Sequence, residues 1–365
     1  MDFSNIKKPA LILDESKCRA NIRLMAAKAR LSGVIFRPHF KTHQSTEIAE
    51  WFRDEGVDSI TVSSVTMAKH FGSAGWNDIT IAFPLNLREV DEAEKLAGSI
   101  NLNILISDFE QAVYLGKRSK LRAGYFIKID TGYKRSGVEW DDHILIMRIM
   151  DEMSYNTSLR FIGFLTHAGH TYKAKSGLEI INIYNDTLFK STSLRALFSD
   201  KILISTGDTP SCSIIENFKE FDEIRPGNFV FYDLMQSFVG SCSLDRIALT
   251  VACPVIEKNH KRKEIIIYGG GVHLSKENIK TREGQIIFGK AVVYSEAGWV
   301  SLSDNDFVRS LSQEHGIISS SEELFNSINV GDLVGIIPVH SCMTADLLRQ
   351  YHTFDDRIIS GFSPK

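Results

Sequence analysis

Lys41 lies between two histidines, His39 and His43, at the end of a short apolar run. A lysine that acts as a nucleophile must lose its proton, and burial beside polar groups favours the neutral amine that forms a Schiff base. A single lysine in this position is also typical of a surface cation whose stem packs on the protein. The two flanking histidines favour the chemical interpretation.

Functional side chains follow two further apolar runs of the sequence. Arg135 comes shortly after the run that ends at Asp130, and His167 and Tyr172 stand at the end of a later run. Such residues would meet if their runs were parallel strands of one sheet, because the carboxyl ends of parallel strands share one edge. A chain of this kind shows strands that alternate with helices.

That alternation is present in the first two thirds of the chain. Apolar β-branched or aromatic runs are separated by stretches with helical spacing, such as 45–55, 87–97 and 142–153, which is typical of βα units. Eight parallel strands with helical crossovers close a TIM-type barrel, so we predict an α/β fold with a (β/α)8 barrel. The eight runs are 34–40, 59–64, 78–84, 102–107, 124–130, 161–167, 202–206 and 224–230.

The pattern changes after about residue 245, where apolar runs are joined by turns without helix-length inserts. This texture predicts an antiparallel β domain, and the run 10–13, which precedes the first barrel strand, is assigned to it. We therefore expect a cofactor-binding barrel at 14–240 and a β domain made of 1–13 and 241–365. The later runs are 247–256, 264–268, 285–293, 299–302 and 331–339.

The loops after barrel strands seven and eight are the usual phosphate site of this fold. Gly207 and Gly227 would allow close approach of the backbone, and Thr206, Thr209 and Asn228 could donate side-chain hydrogen bonds. Such clusters are often simple turns, and a neighbouring aspartate would repel phosphate unless its carboxylate points away. A lysine at one strand end and a phosphate cradle across the barrel together describe a site for pyridoxal 5′-phosphate.

The chain resembles the fold-type III pyridoxal phosphate enzymes, specifically the group of D-threonine aldolase and eukaryotic-type D-serine dehydratase, whose barrel is like that of alanine racemase. The resemblance spans nearly the whole chain. It implies that Lys41 carries the Schiff base, that Arg135, His167 and Tyr172 belong to the cofactor site, that the protein is a homodimer and that D-amino acids are substrates. The motifs are RPHFKTH (37–43), KIDTGYKRSG (128–137), HAGHTY (167–172), TPS (209–211), RPGN (225–228), SQEHG (312–316) and PVHSC (338–342).

His340 and Cys342 stand at positions i and i+2 after an apolar run. Two such residues leaving a strand project to the same side and could hold one cation between an imidazole and a thiolate. An isolated His-x-Cys pair is usually accidental. The family resemblance implies a catalytic metal here, most simply zinc, with open positions for water and the substrate hydroxyl. Val339 and Met343 depart from the family's Asn and Pro, which leaves the two ligands unchanged.

Two lyase reactions agree with these residues. In a dehydratase Lys41 removes the Cα proton while the metal assists departure of the β-hydroxyl, and in an aldolase a base near the metal removes the hydroxyl proton. We favour D-serine-type dehydration because the two expected metal ligands have the form His-x-Cys. An amino-acid racemase, which needs a second acid–base group, and a non-catalytic pyridoxal phosphate carrier are the alternatives.

The composition supports a small-molecule substrate. The chain has 365 residues, 42 Lys and Arg against 45 Asp and Glu, and a net charge of −3, which indicates neither a nucleic-acid nor a membrane partner. Its first residues do not resemble a secretory signal, and no run is long enough to span a bilayer. The five scattered cysteines favour a cytoplasmic location with free thiols.

Overall fold

A computed structural model describes residues 3–117, 120–199, 201–281, 283–295 and 298–363. Eight parallel strands form a nearly closed barrel, and one isolated bridge between His39 and Thr61 joins the first strand's end to the second strand. The predicted (β/α)8 barrel is confirmed. In chain order the barrel strands one to eight are Ile35–Phe36, Ser59–Val62, Asp78–Pro84, Asn101–Ile106, Ala123–Asp130, Leu159–Leu165, Leu203–Thr206 and Glu223–Ile224.

The helices begin where polar side chains cap their first turn. Ser45, Ser64, Asp108 and Asp142 each accept a hydrogen bond from a backbone N–H two or three residues later, which satisfies a donor that the helix leaves open. The described α-helices are Glu15–Ser32, Thr46–Arg53, Val65–Ser73, Val90–Leu96, Phe109–Gly116, His143–Ser154, Gly177–Phe198, Thr209–Ile214, Leu234–Phe238, Gly271–Leu274, Glu322–Ser327 and Ser341–Leu348.

A second, mostly antiparallel sheet contains both ends of the described chain. Its first strand pairs antiparallel with Leu249–Asn259 and parallel with Gln350–Thr353, as expected if the run 10–13 belongs to the β domain. Where the domains divide stays a prediction. The strands are Ala10–Leu13, Leu249–Asn259, Glu264–Tyr268, Gly289–Ser295, Gly298–Val300, Phe307–Leu311, His315–Ser319, Leu333–Pro338, Gln350–Thr353 and Ile358–Ser360.

Three short strands stand outside this sheet and the barrel order: Val138–Glu139 pairs with barrel strand five, and Ile279–Lys280 pairs with Ile286–Ile287. The β domain also contains short helices that its sequence pattern did not predict. Among the described residues, no helix combines the length and the apolar composition needed to cross a bilayer.

The barrel core holds the first strand's exit in place. Phe40 is fully buried, and its ring lies 5.0 Å from Phe52, 5.0 Å from Phe71 and 5.1 Å from Trp76 between centroids. Aromatic rings at such distances pack favourably in tilted and edge-to-face arrangements. Because Phe40 is anchored on the core side, the adjacent residue Lys41 is presented at the barrel mouth.

Candidate functional site

A cavity of about 360 Å³ opens at the carboxyl ends of the barrel strands. Its wall combines residues from the barrel with residues of the β domain, and it is the size expected for a small-molecule site. The structure brings most of the sequence-predicted site residues to this one cavity. Those that line it are Lys41, Arg135, His167, Tyr172, Gly207, Gly227, Asn228, His340 and Cys342.

Lys41 extends into the cavity. Its side chain is open to the cavity space, yet the surrounding protein removes enough water that desolvation lowers the pKa of its amine. The thiol of Cys342 opposes this shift, whereas the cations Arg135 and Arg225 add to it. The arrangement favours a neutral, nucleophilic amine, as Schiff-base chemistry requires.

The two histidines beside Lys41 have different environments. His39 lines the cavity, and burial together with the nearby Lys41 charge holds its pKa well below the usual range. His43 instead points into the core, where its Nδ1 accepts from the Ser45 N–H at 3.1 Å and its ring contacts Phe40. Burial lowers the pKa of His43 to about 3, so only His39 contributes to the site.

His167 is fixed by the loop after barrel strand seven. Its Nδ1 lies 2.9 Å from the carbonyl oxygen of Gly207, and a carbonyl can only accept, so Nδ1 carries the proton. Burial, with a further contribution from Lys41, holds the pKa of His167 well below its usual value. The imidazole is therefore neutral, with a defined tautomer.

Asp208 lies in the cavity wall, but its carboxylate is engaged in hydrogen bonds within the phosphate loop. Its Oδ1 accepts from the hydroxyl of Thr171 at 2.7 Å and from the N–H of Ser211 at 2.8 Å, so it caps the helix Thr209–Ile214. Burial raises the pKa of Asp208 to about 6. The carboxylate that could have repelled a phosphate is thus engaged in the turn itself.

Gly207 and Gly227 let two loops approach each other closely. Gly207 has φ +145°, and a Cβ there would meet the backbone of Arg225, 2.9 Å from its carbonyl carbon. A Cβ on Gly227 would lie 3.0 Å from the carbonyl oxygen of His39. Only glycine fits either position without displacing backbone.

Three predicted donors of the phosphate cradle are engaged within the protein. The hydroxyl of Thr206 accepts from Thr166 at 3.0 Å, and that of Thr209 accepts from the Phe229 N–H at 3.3 Å. Neither side chain lines the cavity. The amide nitrogen of Asn228 donates to Asp233 at 2.5 Å and faces the β domain, while its Oδ1 is buried without a partner among the described residues.

Tyr172 reaches the same loop from barrel strand six. Its hydroxyl accepts a hydrogen bond from the backbone N–H of Thr209 at 3.3 Å. Burial, with the nearby Asp208 carboxylate, raises the pKa of the phenol above its usual range, so the hydroxyl stays protonated. Tyr172 can therefore donate its proton into the cavity while it anchors the start of helix Thr209–Ile214.

His340 and Cys342 enter the cavity from the β domain. The strand Leu333–Pro338 ends before them, His340 caps the helix Ser341–Leu348, and Cys342 lies in its first turn. The prediction that both leave a strand on one side was therefore wrong, because the chain turns into a helix at this point. Their side chains nevertheless hydrogen-bond to each other.

This pair is polarised even without a metal. Although burial acts against it, the hydrogen bond to Cys342 raises the pKa of His340 to about 9, and the same bond lowers the pKa of Cys342. The sulfur also lies 3.3 Å from the Thr42 hydroxyl. Among the described residues, no cluster of three or more His, Cys, Asp or Glu side chains is arranged to hold a metal, so this pair would leave other coordination positions to water or substrate.

Two cations of the site were not singled out from the sequence. Lys128 and Arg225 line the cavity, and desolvation lowers the pKa of Lys128 to about 8. Arg225 stands in the RPGN motif, which was the signal that could have identified it. With Arg135 these side chains make the cavity cationic, which suits an anionic cofactor such as pyridoxal phosphate.

Comparisons with known proteins agree with this geometry. Residues 13–234 match the model of the alanine racemase N-terminal domain, and residues 248–354 match that of a putative serine dehydratase domain. The D-serine dehydratase of Dictyostelium discoideum is 29% identical over 393 residues, covering 100% of this chain and 98% of that protein.

A solved structure gives the same result. The D-threo-3-hydroxyaspartate dehydratase of Delftia sp. HT23 superposes with a TM-score of 0.88 and 25% identity, covering 99% of each chain. A cysteine-to-alanine variant of that enzyme was solved in a metal-free form, and another variant replaces the histidine two positions earlier.

The first of the two domain matches spans more than half of the chain, and the second covers most of the β domain. The chain therefore belongs to the alanine racemase N-terminal domain family of pyridoxal phosphate enzymes, in its D-serine dehydratase and D-threonine aldolase group.

Proposed function

We propose that the protein is a pyridoxal phosphate-dependent lyase that removes water from β-hydroxy D-amino acids of the D-serine type. One observation carries the proposal: the amine of Lys41 and the His340–Cys342 pair line the same cavity from opposite domains. An amine that can move a proton and a pair that can hold a Lewis acid are the two devices that β-elimination of a hydroxyl needs. The dehydratase relatives support the same assignment.

The residues that line the cavity have different roles in this reaction. Bound pyridoxal phosphate delocalises the negative charge that develops at the substrate Cα. Lys41, whose amine has a pKa lowered by desolvation, accepts the Cα proton. Arg135 and Lys128 supply positive charge for the substrate carboxylate, and His167 and His39 are weak bases for the Cα proton because burial holds their pKa values well below the usual range.

His340 and Cys342 are the residues that would hold a divalent metal, whose Lewis acidity makes a β-hydroxyl a better leaving group. Zinc is the metal that an imidazole–thiolate pair favours. The metal-free cysteine variant of the Delftia enzyme supports this assignment, since its varied cysteine and histidine have the same spacing as this pair.

The proposal includes a homodimer in a reducing cytoplasm. Apolar side chains of the β domain are exposed close to His340 and Cys342. Among them are Met343 and Leu347, on the helix that begins at Ser341. A second copy of the chain could cover them. Light scattering of the purified protein measures the mass, and a monomer of 41.0 kDa would contradict this part of the proposal.

The function is tested by incubating purified holoprotein with D-serine, D-threonine and the corresponding L-amino acids. We expect a 2-oxo acid and ammonia in equal amounts from the D forms and neither product from the L forms. Glycine with an aldehyde would indicate an aldolase instead. Racemisation of alanine, which lacks a β-hydroxyl, would indicate a racemase, and bound cofactor without any turnover would indicate a carrier.

A further inference from the structure

A buried ionic network lies beneath the cavity, inside the barrel. The guanidinium of Arg37 donates from Nε to Glu223 Oε2 at 2.5 Å and from Nη1 to Asp78 Oδ1 at 2.5 Å. Glu223 is 2% exposed and Arg37 is 6% exposed. Charged side chains are buried to this extent only when they are paired, so each of these groups depends on its partner.

The network continues from Glu223 towards the cavity. Oε1 of Glu223 lies 2.5 Å from the hydroxyl of Ser205, and that hydroxyl lies 2.6 Å from Nε of Arg225. Nη2 of Arg225 also donates to the carbonyl of Thr166 at 2.6 Å. Arg225 itself lines the cavity that contains Lys41.

The hydrogen bonds that link Glu223, Ser205 and Arg225 can have only one donor direction. A carboxylate only accepts and a guanidinium only donates, so the single proton of the Ser205 hydroxyl must go to Glu223. The lone pairs of the same hydroxyl then face Nε of Arg225. Glu223, which does not line the cavity, therefore helps to orient Arg225 through Ser205, and its Oε1 also lies 3.9 Å from Nε of Arg225.

We propose that Glu223 is a positioning residue for the cofactor site, which acts through Ser205 to hold the Arg225 guanidinium at the floor of the cavity. The proposal rests on the site being that of pyridoxal phosphate and is independent of which lyase reaction follows. A fixed cation beside a bound conjugated cofactor influences its electronic properties. Burial lowers the pKa of Arg225 to about 10, and the nearby carboxylate of Glu223 is the first group that opposes this shift.

Glu223→Gln separates this role from simple packing. Glutamine keeps the size of the side chain, but Arg37 and Ser205 donate to different oxygens of Glu223, and in glutamine one of these positions becomes an NH2 group, which is a donor. The acceptor for the Ser205 proton or that for Arg37 is then lost, together with the negative charge. Ser205→Ala removes the connecting hydroxyl and leaves both charges in place.

A matched control exists in the β domain. Glu264 is 7% exposed and is paired with two arginines, Arg262 at 2.7 Å and Arg309 at 2.5 Å. Glu264→Gln therefore removes a comparable paired carboxylate that has no connection to the cavity. It should leave the cofactor unaffected.

The experiment measures the absorption maximum of the bound cofactor and the affinity for pyridoxal phosphate in a titration of the cofactor-free protein. We expect Glu223→Gln and Ser205→Ala to shift the maximum and to weaken binding about tenfold, in line with the loss of one charged hydrogen bond. Glu264→Gln should match the unaltered protein in both. These readouts need no turnover, so a failure of the proposed lyase activity would be visible separately.

The proposal is overturned if Glu223→Gln is folded by circular dichroism and keeps the original maximum and affinity. Should Glu223→Gln not fold, Ser205→Ala decides, and an unchanged maximum and affinity in that variant also overturns the proposal. Equal shifts in Glu264→Gln would show a general effect on the fold and would have the same consequence.

Discussion

Replacing Gly207 with alanine should destabilise the protein and damage its cofactor site. The residue has φ +145°, where side chains are strained by about 1–3 kcal/mol. The added Cβ would also press on the backbone of Arg225, at 2.9 Å from its carbonyl carbon and 3.0 Å from its Cα, and overpacking of this kind costs about 1–3 kcal/mol. Together these effects predict that the free energy of unfolding falls by about 2–6 kcal/mol.

Urea unfolding of the cofactor-free protein measures this loss, and Gly56→Ala is the matched control. Gly56 has φ +80°, but no described atom lies within 4 Å of the position that a Cβ would occupy there, so only the backbone strain of about 1–2 kcal/mol applies. Pyridoxal phosphate should also bind at least about tenfold more weakly to Gly207→Ala, because the loop and Arg225 must separate. If Gly207→Ala loses no more stability than Gly56→Ala and binds the cofactor normally, the close approach of the two loops is wrong.

Three further predictions concern single side chains. The amine of Lys28 donates to the carbonyls of Cys212, Ser213 and Ile215 at 2.7, 3.0 and 2.8 Å. Lys28→Met should therefore destabilise the cofactor-free protein by about 1.5–3 kcal/mol in urea unfolding. An unchanged unfolding midpoint would contradict this. Burial raises the pKa of Asp208 from 3.8 to about 6, so the folded state binds the proton more tightly, and the resulting stability is present below about pH 4 and lost as the pH rises through 6. Relative to Asp208→Asn, which does not titrate, the unaltered protein should therefore lose about 2 kcal/mol between pH 4 and pH 7; parallel stability curves would refute this. Cys342→Ala should keep the absorbance of the Lys41-bound cofactor and lose turnover of D-serine. A chelator should have the same two effects on the unaltered protein, and added zinc should restore turnover only in the unaltered protein. Normal turnover in a metal-free variant would contradict the metal's role.

The sequence predicted the order of the barrel but overestimated the length of its first and last strands. The runs 34–40 and 224–230 suggest full strands, whereas the paired segments end at Phe36 and Ile224. Pro38 and Pro226 follow two residues later in each case, and proline lacks the N–H that continues a ladder. The chain instead uses the Pro226 carbonyl, which accepts from the His39 N–H at 2.9 Å and keeps Lys41 beside the last strand's loop.

The direction in which each side chain points could not be predicted from the sequence. His39 and His43 have equal spacing from Lys41, yet one faces the cavity and the other packs in the core, because the strand has already ended at Phe36 and residues 40–43 form a turn. Glu223 and Arg37 are 186 residues apart, so no local pattern could reveal their pairing. The motif residues at the strand ends were predictable, since the barrel fold itself places those ends together.

The attachment point of the cofactor tests the account most directly. The holoprotein is reduced with borohydride and digested, and mass spectrometry locates the lysine that carries the phosphopyridoxyl group. Lys41 should carry it, because desolvation lowers the pKa of its amine and the side chain opens into the cavity. Lys128, a second lysine of lowered pKa in the same wall, is the internal competitor. Modification of Lys128 in place of Lys41, or of neither lysine, would contradict the central claim.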